Sequence, residues 1–468
     1  MEKKLKINFI YNSIYQILTM IVPIITTPYV SRVLGANGVG VYSFNYSVAA
    51  YFVMFILLGL NNYGNREIAK VRDSRRQVSK VFWSIYAFQV IMGIIVNVIY
   101  IYYCLVIAEN KIVALILGLY TISGMFDVNW FFFGMEEFKI TVVRNTVIKL
   151  LSTICIFLFV KNETDTIIYT LVLSISFLVS QLLLWPYLIR KVDFYRPSVS
   201  DIRSHIKQNT FLFLTVVAVS IYKIMDKIML GFFTNTAQVG YYESAEKIIQ
   251  VPMLLITSLG TVMLPRMSNL VNKHKQQEST RLINKSIIFA MFLSSSLCFG
   301  IMGVAREFVP IFYGQGFETC IYLFWVLLPS CMFLAFANVV RTQYVIPNQL
   351  DNIYVKSVFL GAAVNLIANL ALIKHFYSVG VAIGTLLAEM SVCIYICFKT
   401  RKELDMLHMV LSAIPFVISG ILMFIVLMSV IIPIDNAILL IGIKILIGVI
   451  IYFTVLLLQW IIKKRFIN

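Results

Sequence analysis

The sequence predicts an all-α integral membrane protein with fourteen transmembrane helices. Of its 468 residues, 60% are hydrophobic and only 13% are charged, and the mean hydropathy is +0.87. A soluble chain would carry about twice that charged fraction. A bilayer core about 30 Å thick requires about 20 apolar residues per helix. Such stretches lie approximately at 8–30, 41–60, 81–104, 112–132, 143–160, 166–189, 209–232, 239–264, 286–312, 319–340, 354–373, 380–398, 409–431 and 437–462.

Positive charge is distributed unevenly among the gaps between these stretches. Most of the 39 Lys and Arg residues lie in the tails and in every second gap. The intervening gaps hold four: Arg32, Lys111, Lys161 and Lys374. Because Lys and Arg resist translocation, the charged gaps and both termini are predicted to be cytoplasmic. The net charge of +17 is expected to contact anionic membrane lipids rather than nucleic acid, and the predicted location is the bacterial cytoplasmic membrane.

The sequence argues against an enzyme. No predicted outer gap exceeds about ten residues, whereas a membrane glycosyltransferase or polymerase would need a large outer loop with acidic residues. There is no G-x-x-x-x-G-K-[ST] loop for ATP and no Ser/His/Asp or Cys/His grouping. The seven cysteines lie in or at the edges of spans and are expected to act as small packing residues. Neither a metal site nor a cofactor is therefore expected.

The two halves of the chain carry similar motifs. Residues 34–35 (Leu-Gly) and 39–42 (Val-Gly-Val-Tyr) are matched by 230–231 (Leu-Gly) and 239–242 (Val-Gly-Tyr-Tyr), about 200 residues later. This order predicts duplication of a six-helix unit, with a pseudo-two-fold axis along the membrane normal. The predicted domains are an N-terminal lobe at 1–198, a C-terminal lobe at 199–398 and two appended helices at 399–468.

Ionisable residues are densest in predicted spans 7 and 8. They are Lys223, Asp226, Lys227, Glu243, Glu246 and Lys247. A charge at mid-membrane costs about 2.5–3.5 kcal/mol on insertion scales, so these groups are expected to face a polar interior or one another. They predict either a cationic lining for an anionic substrate or a self-neutralising ion network between the two helices. Lys223 lies deepest and is the first candidate for a cavity.

Other spans hold isolated ionisable residues. Glu389 lies mid-span, and Asn365 and Asn369 on the preceding helix are candidate partners, which together predict a proton or cation site or a structural hydrogen bond. Asp127 is predicted to pair with a lysine such as Lys149. The candidate substrate-binding residues are Lys223, Lys227, Lys247, Lys149 and Arg32. The candidate ion-coupling or structural residues are Asp226, Glu243, Glu246, Glu389, Asp127, Asn365 and Asn369.

Several motifs resemble those of bacterial polysaccharide flippases. Residues 126–139 (FDVNWFFFGMEEFK) resemble the exit of the fourth helix, and 63–69 (YGNREIA) resemble the segment after the second. The C-terminal half agrees through Asp226-Lys227 with Leu230-Gly231, residues 239–247, Phe312-Tyr313-Gly314 with Phe317, and the region from Asn365 to Glu389. The similarity covers roughly residues 10 to 400. One departure is Phe133, where relatives often carry glutamine.

The resemblance implies the multidrug/oligosaccharidyl-lipid/polysaccharide exporter superfamily. The implied fold is two six-helix lobes around a central cavity. The implied substrate is an oligosaccharide repeat unit on undecaprenyl pyrophosphate, moved to the outer leaflet by alternating access for capsule, O-antigen or exopolysaccharide synthesis. The expected driving force is the membrane potential or a proton or sodium gradient, and a polysaccharide polymerase and co-polymerase are expected partners. A drug/cation antiporter and a lipid II flippase are same-fold alternatives.

Overall fold

The computed structural model describes residues 2–467, with helical side chains described at 18–19, 21–206, 209, 213, 217, 220, 224–260, 262–462 and 464. These residues form sixteen α-helices. Their bounds are α1 Glu2–Leu57, α2 Leu60–Val71, α3 Arg75–Tyr102, α4 Lys111–Met125, α5 Asn129–Gly134, α6 Phe138–Phe159, α7 Thr166–Leu182, α8 Trp185–Ile189, α9 Val199–Phe233, α10 Thr236–Asn272, α11 Gln276–Tyr313, α12 Thr319–Leu327, α13 Ser330–Val340, α14 Asp351–Thr400, α15 Met406–Ser429 and α16 Ala437–Ile467.

The helices form two compact units, Met1–Gly231 and Phe232–Asn468. In the first unit, α1 is broken at Gly35, whose φ of 63° lies in the left-handed region that suits a residue without a Cβ atom. The predicted turn between spans 1 and 2 therefore coincides with a real break. The arm of α1 that follows Gly35 is called the second arm below.

Helix α9 runs antiparallel to this second arm. A methyl group at Gly231 would overlap the ring of Phe44. Further along, the Tyr51 hydroxyl donates to the Ser220 carbonyl at 3.2 Å. The ring centroids of Phe55 and Phe213 lie 5.4 Å apart. Because α9 packs on α1, it belongs to the first unit, whereas the sequence assigned residues 199–231 to the second lobe. The division into lobes stays a prediction.

The polar segment at 190–208 is fixed to the first unit by ion pairs. Arg75 forms a bidentate ion pair with Asp193, with N–O distances of 2.7 and 3.0 Å. Lys80 lies 2.8 Å from Asp201, and its ammonium group lowers the pKa of that carboxyl. The Tyr63 hydroxyl is 2.6 Å from Nδ1 of His205. The segment at 190–208 is thus an ordered strap on the first unit.

In the second unit, α14 is a hairpin of two antiparallel helices. Tyr377 interrupts its helical dihedral angles. A Cβ atom at Gly361 would press on Val392, and one at Gly384 would press on Asn369. The residue numbers in each of these two pairs have the same sum, as expected for two antiparallel helices joined by a turn.

The appended helices α15 and α16 pack on α11. The Ser295 hydroxyl donates to the Phe416 carbonyl at 2.6 Å, and the Tyr452 hydroxyl donates to the Phe292 carbonyl at 3.1 Å. These hydrogen bonds join helices whose facing side chains are otherwise mostly apolar.

Apolar side chains cover the outside of the described helices and also form most of their core. On α3, a stripe at helical spacing is exposed, with Ile91 at 48%, Ile94 at 54% and Val98 at 63%. Polar side chains such as Gln89 and Asn365 are fully buried. An apolar exterior with polar groups kept inside is what a bilayer requires, because lipid cannot hydrogen-bond. The chain is therefore a multi-pass membrane protein.

Within the described residues, eleven helical stretches are long and apolar enough to cross a membrane. Two of them, Ile21–Val71 and Asp351–Thr400, contain the breaks at Gly35 and Tyr377. Helix α9 contains predicted span 7 but is not among the eleven. The all-helical membrane fold is thus confirmed, whereas the number fourteen and the symmetry of the lobes stay predictions.

The close approach of α9 to α1 can be tested with Gly231→Ala. Because the added methyl group would overlap Phe44, we expect a cost of about 1–3 kcal/mol and a lower Tm in detergent. Gly442→Ala on α16 is the control, since its methyl group would meet nothing within 4 Å. Gly231→Ala should cost less stability in a Phe44→Ala background, because the ring that the methyl group overlaps is then absent. Equal Tm values for the two glycine variants would contradict this packing.

Candidate functional site

The first unit contains a cavity of about 430 Å³. Its lining residues come from α1, α2, α4 and α9 of that unit. They are Tyr46, Ser47, Ala50, Val53, Met54, Leu57, Gly59, Asn61, Asn62, Tyr120, Ile224 and Lys227. This volume lies in the range of small-molecule sites, and a mostly apolar wall with a few polar groups is typical of such sites.

The second arm of α1 forms the long wall of the cavity. Its lining positions recur at helical spacing from Tyr46 to Leu57, which is a length of about 16 Å at 1.5 Å per residue. The helix ends at Leu58 and Gly59, which have φ values of 43° and 84°. A left-handed leucine is uncommon, and such strained residues cluster at ligand sites. The break places Asn61 and Asn62 of α2 at one end of the cavity.

Aromatic rings form a second wall. The rings of Tyr46 and Tyr120 stack with centroids 5.1 Å apart and an interplanar angle of 26°. Phe177 of α7 supports both, at 5.9 Å from Tyr46 and 4.6 Å from Tyr120. Tyr42 lies 5.6 Å from Tyr46 on the same helix. Rings held on several sides have few alternative rotamers, so this wall is rigid.

Lys227 is the cationic residue among the described lining residues. It lies on α9 next to Asp226, which is buried, and neither residue is without an interaction partner. The predicted cationic lining and the alternative ion network both stay predictions. Lys223 lies on the same helix, but its side chain falls outside the described residues.

The other predicted substrate cations lie elsewhere. Lys247 pairs with Glu243 at 3.3 Å within α10, and half-buried Glu246 on the same helix also has a partner. Lys149 donates to the Thr19 carbonyl at 3.4 Å, which joins α6 to α1. Arg32 is exposed three residues before the break at Gly35. None of these residues lines the cavity described above.

Asp127 has partners that differ from the predicted lysine. Its Oδ1 atom accepts hydrogen bonds from the backbone and side-chain nitrogens of Asn129, at 2.9 and 2.7 Å. The Asn129 side chain in turn accepts from Arg144 at 2.9 Å, and Arg144 also donates to the Ser180 carbonyl. The cation near Asp127 is therefore Arg144, and the prediction of Lys149 was wrong in this respect. A buried arginine at the edge of a predicted span was the missed signal.

A second buried side chain holds the break between α4 and α5. Gln89 is fully buried on α3, and its amide nitrogen donates to the carbonyls of Gly124 and Asp127 at 2.8 and 2.9 Å. Its amide oxygen accepts from the Trp130 indole at 3.1 Å. Carbonyl groups at a helix end lack intrahelical partners. Gln89 supplies these partners where lipid or apolar side chains could not.

In the second unit, Glu389 is 6% exposed on the second helix of the α14 hairpin. On the first helix, the Asn369 side chain donates to the side-chain oxygen of Asn365 at 3.2 Å, and both residues are fully buried. Position 389 faces position 365 in the register of the hairpin. In the part of the chain that the structure describes, Glu389 has no ion-pair or hydrogen-bond partner, so its predicted bonds to these asparagines are not formed here.

One buried ion pair was not anticipated from the sequence. Lys444 of α16 lies 2.5 Å from Glu307 of α11, and the Lys444 side chain is 8% exposed. The two residues are 137 positions apart in sequence, so no local pattern could reveal the pair.

No group of three or more His, Cys, Asp or Glu side chains in a metal-binding arrangement occurs among the described residues. The expectation that no metal or cofactor is needed stays a prediction.

The sequence profile described as polysaccharide biosynthesis protein matches residues 5–271, which is more than half of the chain. The chain belongs to this family. The profile described as lipid II flippase MurJ also matches, over residues 145–453. The expected membership in the polysaccharide flippases of the exporter superfamily is thereby confirmed. These families consist of transporters, so this chain is a transporter and not an enzyme.

Relatives and solved structures agree with the family. The putative O-antigen transporter of Escherichia coli (strain K12) is 22% identical over 82% of this chain and 94% of its own. A probable low-salt glycan biosynthesis flippase, Agl15 of Haloferax volcanii, is 25% identical over 41% of each chain. The structure of the lipid II flippase MurJ in an inward closed conformation has a TM-score of 0.78 at 15% identity, covering 98% of this chain and 100% of that one. An inward-facing multidrug transporter of the MATE family has a TM-score of 0.59 at 13% identity, covering 88% and 99%. At these identities the two structures show the fold alone.

Gln89→Met tests the role of the buried glutamine. The change keeps the length of the side chain but leaves two carbonyls and one indole N–H without partners, at a cost of about 1–3 kcal/mol for each buried group. We expect Tm in detergent to fall by several degrees. Gln77→Met, at an exposed position of α3, should leave Tm nearly unchanged. An unaltered Tm for Gln89→Met would show that the break is held by other contacts.

Proposed function

We propose that the chain moves undecaprenyl-pyrophosphate-linked oligosaccharide repeat units from the inner to the outer leaflet of the cytoplasmic membrane, for capsule, O-antigen or exopolysaccharide synthesis. The observation that carries this proposal is the cavity in the first unit, which combines Lys227 with tyrosine, serine and asparagine side chains between apolar helices. Membership in the polysaccharide family and the O-antigen transporter of Escherichia coli support the substrate class. A polymerase and a co-polymerase would then act on the product.

A protein is needed because the sugar head cannot cross hydrocarbon unaided. Each hydroxyl moved without a hydrogen-bond partner costs about 4–8 kcal/mol on alkane scales. A repeat unit carries on the order of ten hydroxyls, so the total barrier is prohibitive. Polar lining groups such as Ser47, Asn61 and Asn62 replace part of the lost water. The lipid tail remains in the bilayer, while alternating access exposes the head to one side of the membrane at a time.

The pyrophosphate explains a cation at the cavity. Lys227 would offset one of about two negative charges in surroundings where an unpaired charge is costly. Outward movement of these charges down an inside-negative potential releases roughly 2.3 kcal/mol per charge per 100 mV. The membrane potential is therefore part of the proposed driving force. Lys223 is proposed as a further pyrophosphate contact from its position in the sequence.

Lys227→Ala tests the proposal. A hydrogen bond to a charged group is worth about 1.5–3 kcal/mol, so we expect transport of a labelled lipid-linked oligosaccharide in proteoliposomes to fall at least tenfold. Lys227→Arg should keep a substantial part of the rate because it keeps the charge. Lys402→Ala, at an exposed site outside the predicted spans, is the control. A rate for Lys227→Ala equal to that of the control would refute the assignment of this cavity.

We further propose that Glu389 couples transport to a proton or cation gradient. A buried carboxylate facing two buried asparagines offers oxygen ligands and a titratable group within one hairpin. Glu389→Gln keeps the shape of the side chain but cannot take up or release a proton.

We expect Glu389→Gln to remove the stimulation of transport by an imposed proton or sodium gradient, while the gradient-free rate persists. Proteoliposomes loaded with different internal pH or sodium concentration measure this directly. Glu403→Gln, at an exposed position after α14, is the matched control. Full gradient stimulation in Glu389→Gln would remove Glu389 from the mechanism.

A lipid II flippase is a second candidate because the profile of that family matches residues 145–453. Lipid-linked oligosaccharide and lipid II share a polyprenyl pyrophosphate and differ in the glycan. Competition between the two in the same proteoliposomes separates the candidates. The proposal predicts that the repeat unit is transported in preference, and a preference for lipid II would replace it.

A further inference from the structure

The walls of the cavity in the first unit differ in chemistry. Lys227 supplies charge, whereas the stacked rings of Tyr46 and Tyr120 and the amides of Asn61 and Asn62 are neutral. A pyrophosphate group requires cations and donors, so it explains neither the aromatic wall nor the acceptor oxygens of the two amides. They call for a ligand portion with both apolar faces and many hydroxyls.

The tyrosine wall offers a rigid aromatic surface. Tyr46 and Tyr120 are supported by Phe177, at centroid distances of 5.9 and 4.6 Å. The face of an aromatic ring carries negative electrostatic potential. The C–H groups on one face of a sugar ring are polarised positively by the neighbouring oxygens, so they are attracted to such a face. A preformed ring also binds at a small cost in conformational entropy.

The amide wall matches the hydroxyl groups of a sugar. Each asparagine side chain has one acceptor oxygen and two donor hydrogens, and each hydroxyl is both donor and acceptor. The side-chain amides of Asn61 and Asn62 are exposed at the cavity and bond to no other described group. They follow the break at Leu58 and Gly59, where α1 ends and α2 begins. These two amides are therefore available to a ligand.

We infer that Tyr46, Tyr120, Asn61 and Asn62 form a saccharide subsite, which binds the first sugar residues of the lipid-linked substrate beside the pyrophosphate at Lys227. This inference rests on the proposed function, because it assigns parts of the same cavity to parts of that substrate. The wall along α1 is about 16 Å long, so both portions fit along it. The subsite recognises the glycan, whereas Lys227 binds the negatively charged group that all such lipids share.

The test compares two ligands on the full-length protein in nanodiscs. One is the undecaprenyl-pyrophosphate-linked oligosaccharide, and the other is undecaprenyl pyrophosphate without sugar. We expect Tyr46→Ala, Tyr120→Ala and the double variant Asn61→Ala/Asn62→Ala to weaken binding of the glycosylated lipid at least fivefold and to leave the sugar-free lipid unchanged. Tyr46→Phe should bind both like the wild type. Tyr102→Ala, at an exposed ring on α3, is the control.

The outcomes separate the inference from the proposed function. Variants that bind the glycosylated lipid as tightly as the control, or that weaken both ligands equally, would overturn the subsite. The asparagine pair keeps the test valid if the tyrosine variants do not fold, because these side chains are exposed and make no described hydrogen bonds. If the wild type moves no lipid-linked sugar in proteoliposomes, the proposed function fails. If it does move one and the variants keep the wild-type preference for the glycosylated lipid, the subsite alone fails.

Discussion

The absence of hydrogen-bonding solvent in the bilayer is the constraint on which this structure depends. Each helix break in a spanning segment frees backbone groups that must find partners inside the protein. At the break between α4 and α5, the Gln89 side chain donates hydrogen bonds to two backbone carbonyls and accepts one from the Trp130 indole. Beside this break, the Arg144 side chain donates to Asn129, and the Asn129 backbone donates to Asp127, so these polar groups have partners. The first unit can therefore hold broken helices in an apolar environment.

The same constraint relates the cavity to transport. A site for a sugar head must be polar, but polar walls are costly unless a ligand or water fills them. In the first unit these walls are confined to one side of α1, while the lipid-facing stripe on α3 is entirely apolar. The strap at 190–208, held by Asp193 and Asp201, keeps the segment before α9 in register with α3. Lys227 is thereby carried on a helix whose start is anchored and whose far end packs closely on α1.

The sequence predicted what depends on local pattern. Hydropathy predicted the all-helical membrane fold, and the Leu34-Gly35 motif lies at the break in α1. The lysine cluster around residue 227 lies on α9, which lines the cavity. Long-range pairs were not predictable, because Lys444 and Glu307, or Arg144 and Ser180, meet only through the fold. The cavity walls were missed for the same reason: tyrosines at 46 and 120 look like ordinary membrane residues until two helices bring them together.

The central claim is that the polar head of the substrate enters the cavity of the first unit. Site-specific photocrosslinking tests it most directly. A photoreactive amino acid at Met54, on the cavity wall, should crosslink to the glycan of a labelled lipid-linked oligosaccharide during transport, whereas one at Val98, on the exposed face of α3, should crosslink only to lipid. Glycan crosslinks absent at Met54, or equally strong at Val98, would contradict the account.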